Sequence, residues 1–301
     1  MLALVVNSNA PGRMKIAETD DPTPRADQCL VKVEAMSLNH GELPSLTGAP
    51  DGVVPGWDAA GIVRQAAANG QGPAVGTRVL TFGWGGAWAE LRAVDLDSLA
   101  VLPQDVDSGD ASTLPVAAGT ALRALRVPGS IVGRRVVVTG ASGGVGGFAV
   151  QLAHQAGAYV TAVVGSEARG KGLAGLGADE VVVGMDEVEG PIFAAIENVG
   201  GAGLVKAYSQ LESGGTIVSI GATSGEDSIF PPYSLVGPPR SIVSFVLGAG
   251  LGGDLEYLVG LLAARKLSSI VGWHGNWEGA AQASEALLGR RVRGKAVLTV
   301  D

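Results

Sequence analysis

The run Val136–Ala153, VVVTGASGGVGGFAVQLA, sets Ala141, Gly143 and Gly146 at A-x-G-x-x-G spacing, with Ser142, Gly144 and Val145 between them. That spacing serves one kind of chemistry well. A pyrophosphate is held where backbone approaches it with no Cβ in the way and where a helix packs closely on the preceding strand. The helix then offers its free N–H groups and the positive end of its dipole. The β-branched residues around Val138 supply the strand and FAVQLA the helix, a context that a lone glycine motif lacks. A glycine-rich turn in an ordinary βαβ unit is the alternative.

The next apolar strand, YVTAVV, ends in GSEAR. An acid at this point would take the ribose 2′-hydroxyl of NAD. Gly165 and Ser166 stand there instead, and Arg169 and Lys171 follow. A small uncharged turn beside a cation suits a 2′-phosphate, so the expected cofactor is NADP(H). Glu167 works against this reading, and Arg169 and Lys171 could equally be solvated helix charges. The letters from Thr139 to Gly146 also spell T-G-x-x-x-G-x-G, the pattern of short-chain dehydrogenases. Those enzymes need Tyr-x-x-x-Lys, and none of Tyr159, Tyr208, Tyr233 and Tyr257 has a lysine four residues on.

The elements that must position this loop change character along the chain. Up to about residue 110, short β-rich runs (LALVV, CLVKVEAMSL, AAGIVRQA, TRVLTF, AWAELRAV) are separated by Pro, Gly and Asp clusters, as in a small barrel or sandwich. DSGDASTLPVAAGTALRALRV reads as helical, capped by Asp107 or Ser108 and split in two by Pro115. From Arg135 strands alternate with helices, which implies a parallel sheet covered on both faces. The tail reads as a helix and then a strand, KAVLTV, that returns to the first domain. The expected fold class is α/β, a β-rich domain at 1–117 with 268–301 returning to it, and a doubly wound Rossmann domain at 118–267.

Composition narrows the partners. The net charge is −8 and the few Lys and Arg are scattered, so no basic stripe invites nucleic acid. Val136–Ser166 holds no Asp, Glu, Lys or Arg, but seven glycines interrupt it, so buried strands and a buried helix explain it better than a membrane span. With Cys29 alone, no internal disulfide is possible, and the first residues lack a basic segment followed by a long apolar run; both fit a cytoplasmic protein.

Four segments in order, VKVEAMSLNHGEL, VPGWDAAGIV, STLPVAAGTALRAL and VVVTGASGGVGGFAVQLA, resemble the medium-chain dehydrogenase/reductase superfamily, and within it the zinc-free quinone oxidoreductase branch. The resemblance spans nearly the whole chain. It implies a GroES-like first domain and a reductase that passes hydride to a quinone or an α,β-unsaturated carbonyl small molecule. It also implies a homodimer joined through edge strands, with SIVSFVL (Ser241–Leu247) as such an edge. Enoyl reduction on a biosynthetic, carrier-bound intermediate is one alternative; an NADP-binding protein with little or no catalysis is another.

The resemblance also assigns residues. Zinc relatives carry Cys where this chain has Asn39 and His-Glu where it has Trp57 and Asp58, so no metal is expected. Asn39 is the candidate for orienting cofactor or substrate. His40 stands where related enoyl reductases carry a tyrosine proton donor, with water as the alternative acid. Thr120 and, on the nicotinamide side, Val199, Gly221 and Phe245 complete the expected cofactor contacts, although all three of the latter could be packing residues. A family tyrosine that contacts the 2′-phosphate is replaced by Gly184. Trp57 and Trp84 border the expected site or belong to the core.

Overall fold

A computed structural model describes residues 1–300. The chain forms two units, Met1–Gly119 with the chain from Gly248 onward, and Thr120–Leu247.

In the first unit β1 (Leu2–Val6) and β2 (Met14–Glu18) pair antiparallel. The long strand β3 (Gln28–Leu38) leads through a short helix, α1 (Glu42–Ser45), to β4 (Asp58–Gln65), β5 (Arg78–Phe82), β6 (Leu91–Asp95) and β7 (Leu99–Val101). Side chains alternate across β3. Cys29 and Val31 pack with Val63, Val79, Val94 and Leu99, whereas Met36 and Leu38 join Trp88, Trp277 and Leu298 in a second cluster. β3 pairs antiparallel with β4 and β6, and β5 pairs with β4 and β7. α2 (Ser108–Ser112) follows, with the Asp107 carboxylate accepting the Asp110 N–H as an N-cap.

Pro115 does divide the next helical run, but not by a simple break. Residues 114–118 form a wide π-turn between α2 and α3 (Gly119–Arg126). Proline has no N–H to give to the helix, and a wide turn redirects the neighbouring groups. The Val116 N–H thus donates to Asp58 Oδ1 at 3.0 Å, and the Ser112 carbonyl accepts from Ser37 Oγ at 2.8 Å.

The second unit is a six-stranded parallel sheet. It contains β8 (Arg135–Thr139), α4 (Gly144–Gln155), β9 (Tyr159–Val164), α5 (Glu167–Gly170), β10 (Glu180–Val183), β11 (Ile192–Glu197), α6 (Gly201–Gln210), β12 (Leu211–Ser219) and β13 (Ser241–Ser244). The strand order β10-β9-β8-β11-β12-β13 is that of a doubly wound dinucleotide fold, with the reversal between β8 and β11. The charge-free stretch is β8, α4 and β9, whose residues are mostly buried. Among the described residues no helix is long and apolar enough to cross a membrane. The helix expected after β9 is cut to one turn of α5 and a 3-10 turn, because glycines 170, 172, 175 and 177 interrupt it and Gly172 and Gly177 take positive φ.

The return to the first unit starts at Gly248 rather than at 268. α7 (Gly252–Ala263) buries Leu255, Leu258 and Val259 and packs against β7 and residues 96–98, so it belongs to the first unit and not to the Rossmann unit. β14 (Val271–Asn276), α8 (Ala280–Leu288) and β15 (Lys295–Thr299) complete it, with β15 antiparallel to β3 and parallel to β14. β2, β7 and β14 are short or solvent-facing and carry no alternation strong enough to mark them in the sequence.

Candidate functional site

In the second unit the glycine loop forms a cradle at the end of β8. Gly140 has φ +59°, a left-handed conformation that turns the chain out of the strand. Gly143 caps α4, with its N–H bonded to Gly140 O at 2.9 Å. A Cβ on Gly146 would lie 2.3 Å from Gly140 O and 2.7 Å from Ala141 Cα, both backbone atoms, so the helix sits on the loop as closely as glycine permits. These features fit the pyrophosphate of a dinucleotide, with the first N–H groups of α4 free to meet it.

Because the strands are parallel, their C-terminal ends share one edge of the sheet, and most of the expected cofactor residues lie there. Gly165 and Ser166 follow β9, Val199 follows β11, Gly221 follows β12 and Phe245 follows β13. Arg169 Nε donates to the buried Ser142 Oγ at 2.9 Å, which ties the expected 2′-phosphate residue directly to the glycine loop. Thr120 lies buried in α3 and not at the strand ends. A feature unforeseen from sequence braces this edge. The fully buried Glu197 carboxylate accepts from Thr139 Oγ1 and the Val199 N–H, both at 2.9 Å, and from the Gly200 N–H at 3.0 Å. Asn198 Nδ2 donates to Thr139 O at 2.8 Å. The ends of β8 and β11, the two strands flanking the reversal, are thereby locked together.

In the first unit Asn39 lies inside a buried polar cluster. Its Nδ2 donates to Asp58 Oδ2 at 2.8 Å and to Glu42 Oε2 at 3.1 Å, and its Oδ1 accepts from Lys295 Nζ. Lys295 Nζ also reaches Asp58 Oδ2 at 3.2 Å. Glu42 accepts further from the backbone N–H of Asn39 at 2.7 Å and of Trp57 at 2.6 Å. Burial, and then the charge of Asp58, push the Glu42 carboxyl up to about 8, against the pull of Lys295 and of the two backbone donors. The side-chain amide of Asn39 is therefore engaged by protein groups. His40 itself is exposed, and partial desolvation together with the charge of Arg290 holds its imidazole below the usual range.

Glu42, Lys295 and Arg92 were not singled out in the sequence. Glu42 is a lone charge in an otherwise uncharged run, the one signal that could have found it, whereas Arg92 lies between Glu90 and Asp95 and Lys295 follows Arg290, Arg291 and Arg293, so nothing local marks either. Arg92 is buried on β6 and donates to the carbonyls of Trp57, Gly83 and Gly85 at 3.0, 3.0 and 3.2 Å; burial lowers its guanidinium to about 10, so it remains charged at neutral pH. Among the described residues no group of three or more His, Cys, Asp or Glu is arranged to hold a metal ion.

Two family models cover these two parts of the chain. Residues 25–104 match the alcohol dehydrogenase GroES-like domain and residues 144–264 the zinc-binding dehydrogenase domain. A probable acrylyl-CoA reductase of Escherichia coli is 34% identical over 241 residues, 72% of this chain and 70% of the relative. A chloroplastic quinone-oxidoreductase homolog of Spinacia oleracea is 36% identical over 185 residues, and the match spans 56% of each chain. The solved quinone oxidoreductase of Coxiella burnetii superposes with a TM-score of 0.88 at 26% identity, covering 100% of this chain and 99% of that one. The chain belongs to the medium-chain dehydrogenase/reductase superfamily, in its zinc-free, quinone oxidoreductase-like branch, with a GroES-like domain and a Rossmann domain.

Proposed function

We propose that this protein is an NADP(H)-dependent, zinc-independent reductase acting on a quinone or an α,β-unsaturated carbonyl compound. The observation that carries the reading is the glycine cradle with Arg169 bonded to Ser142 at its rim. A nicotinamide cofactor supplies a hydride when bound. The chain's residues do the rest. The α4 N-terminus and the loop from Gly140 to Gly146 bind the pyrophosphate. Arg169 offers its charge to the 2′-phosphate. Val199, Gly221 and Phe245, at the ends of their strands, line the nicotinamide side. Asn39, held by Asp58, Glu42 and Lys295, fixes the His40 loop, and His40 or water returns a proton to the reduced substrate. Conjugation spreads the charge that develops on an enone or quinone, so hydrogen bonds to the substrate oxygen suffice where an alkoxide would call for a Lewis acid.

An NADPH-oxidation assay across quinones, enals and enones tests this. Turnover should appear, survive a strong chelator, and fall with His40→Phe while NADPH affinity is unchanged. Activity abolished by chelation and restored by zinc would redirect the reading to alcohol oxidation. No turnover on any acceptor, with NADPH still bound, would favour a binding protein. A second reading, reduction of a thioester-bound enoyl group, is favoured by the Escherichia coli relative named a probable acrylyl-CoA reductase, and enoyl thioesters belong on the same panel.

The cofactor preference has its own test. Arg169→Ala should weaken NADPH binding by about 1.5–3 kcal/mol, the loss of a charge-assisted phosphate contact, and leave NADH nearly unchanged. Equal losses for both would remove Arg169 from the 2′-phosphate.

We also propose a homodimer through β13. It is the last strand of its sheet, Ile242 on it is exposed, and Tyr233, Leu235, Val236 and Val246 nearby are 62–85% exposed. An unpaired edge flanked by apolar side chains is stabilised by pairing. Light scattering at micromolar concentration should give about twice the 30.2 kDa chain mass, and a value of 30.2 kDa would refute the pairing. The single buried Cys29 fits a cytoplasmic setting.

A further inference from the structure

We infer that Trp84, backed by Trp57, is a stacking ledge that makes this protein prefer acceptors carrying a planar conjugated ring over acyclic ones, an inference that rests on the reductase reading above.

Trp84 sits in the segment Phe82–Trp88, FGWGGAW, between β5 and β6, and 51% of it is exposed. An indole left open to solvent on a mobile loop would say little, because such a loop could fold it away. This loop is fastened. Arg92, buried beneath it, grips the carbonyls on both sides of Trp84, Gly83 O at 3.0 Å and Gly85 O at 3.2 Å, and takes Trp57 O at 3.0 Å with the same nitrogen. Its other terminal nitrogen donates to Thr81 Oγ1 at 2.9 Å. The Gly83 N–H bonds Trp57 O at 3.1 Å and the Gly86 N–H bonds Val54 O at 3.1 Å. A Cβ on Gly83 would stand 2.8 Å from the Arg92 guanidinium, so glycine there makes room for the clamp.

The Trp84 ring is set by neighbours as well as by backbone. The rings of Trp57 and Phe82 meet it nearly perpendicular, at 4.9 and 5.0 Å between centroids and 83° and 78° between planes. These edge-to-face contacts fix its orientation, and half of its surface stays open. The ledge also adjoins the residue assigned to proton return. Gly41, next to His40, lies against Trp57 so closely that an added Cβ would touch the six-membered ring at 3.4 Å, and Trp57 in turn touches Trp84. A rigid, half-exposed, electron-rich indole one aromatic contact away from the His40 loop suits an electron-poor flat ring such as a quinone or an aryl enone. An acyclic enone has no comparable face to lay on it.

The test compares 1,4-naphthoquinone with 3-buten-2-one as acceptors for the full chain and for Trp84→Ala and Trp84→Phe. In Trp84→Ala, kcat/KM for naphthoquinone should drop about tenfold, as expected for one lost stacking partner, while that for butenone changes less than about twofold. Trp84→Phe, which keeps a ring, should recover most of the naphthoquinone rate. Equal loss on both acceptors, or no loss on either, would overturn the ledge. Equilibrium dialysis of 2-naphthol, a flat ring that accepts no hydride, separates this outcome from failure of the reductase reading. Naphthol binding that falls about tenfold in Trp84→Ala supports the ledge even if no acceptor is turned over, and naphthol binding unchanged by the substitution refutes it even if quinones are reduced.

Discussion

Lys295→Met should cost this protein about 3–5 kcal/mol of stability, the penalty for removing one partner of a buried ion pair. Asp58 is fully buried, Glu42 is 1% exposed, and Lys295 Nζ binds both Asp58 and the Asn39 amide that joins the two acids. Methionine fills the lysine's volume but leaves two buried acidic side chains, Asp58 and Glu42, without that ammonium. The loss should depend on pH. Glu42 is raised from 4.5 to about 8 in the folded state, so between those values the folded chain holds a proton that the unfolded chain has released. Stability contributed by that proton is full at the acid end and declines as pH rises toward 8, by at most about 1.4 kcal/mol per unit. Lys295 opposes the rise of the Glu42 pKa, so its removal extends the decline beyond pH 8 and makes the deficit larger at pH 9 than at pH 5. Urea unfolding followed by tryptophan fluorescence at both pH values measures this, and a variant as stable as the parent at pH 9 would contradict it. Glu42→Gln should flatten the slope across the same interval.

Gly146→Ala should cripple dinucleotide binding. The added methyl would stand 2.3 Å from Gly140 O, and neither that atom nor Ala141 Cα can move unless the loop separates from the helix. Forcing one carbon into so close a contact costs about 1–3 kcal/mol, and the displaced loop should lose at least about tenfold in NADPH affinity. Gly165→Ala is the control for the fold: nothing lies within 4 Å of its added carbon, so thermal stability should be unchanged. Fluorescence titration with NADPH and a thermal melt on both variants decide the matter. Undiminished affinity in Gly146→Ala would show that the cradle does not hold the pyrophosphate.

How far the sequence could be read depended on the distance over which each feature is made. The glycine loop is local, with strand, turn and helix inside one run from Val136 to Ala153, and its spacing states its geometry. The return of KAVLTV was legible because an apolar strand at the tail needs a sheet to join, and it joins β3. The buried cluster was not legible, since Asn39, Asp58 and Lys295 come from three separate segments and only the fold brings them within 3.2 Å or less of one another. Asn39 reads from sequence as the candidate for orienting cofactor or substrate, and two of the groups that engage its amide, Asp58 and Lys295, are remote from it in sequence. The helix 252–263 was placed with the wrong unit because its buried stripe of Leu255, Leu258 and Val259 states that it packs but not against what.

The π-turn and the late lysine together bear on the order of biosynthesis. Asp58 leaves the ribosome early, but its partner Val116 N–H is 58 residues further along the chain and the Lys295 ammonium 237 residues further. The Rossmann unit is continuous from Thr120 to Leu247 and can close while synthesis is still under way, whereas the amino-terminal sheet stays unfinished until β15 slots in between β14 and β3. The half of the chain made first is therefore completed last, and chains stalled shortly before Lys295 should carry a closed Rossmann unit beside an open first unit with unneutralised acids, a natural substrate for cellular quality control.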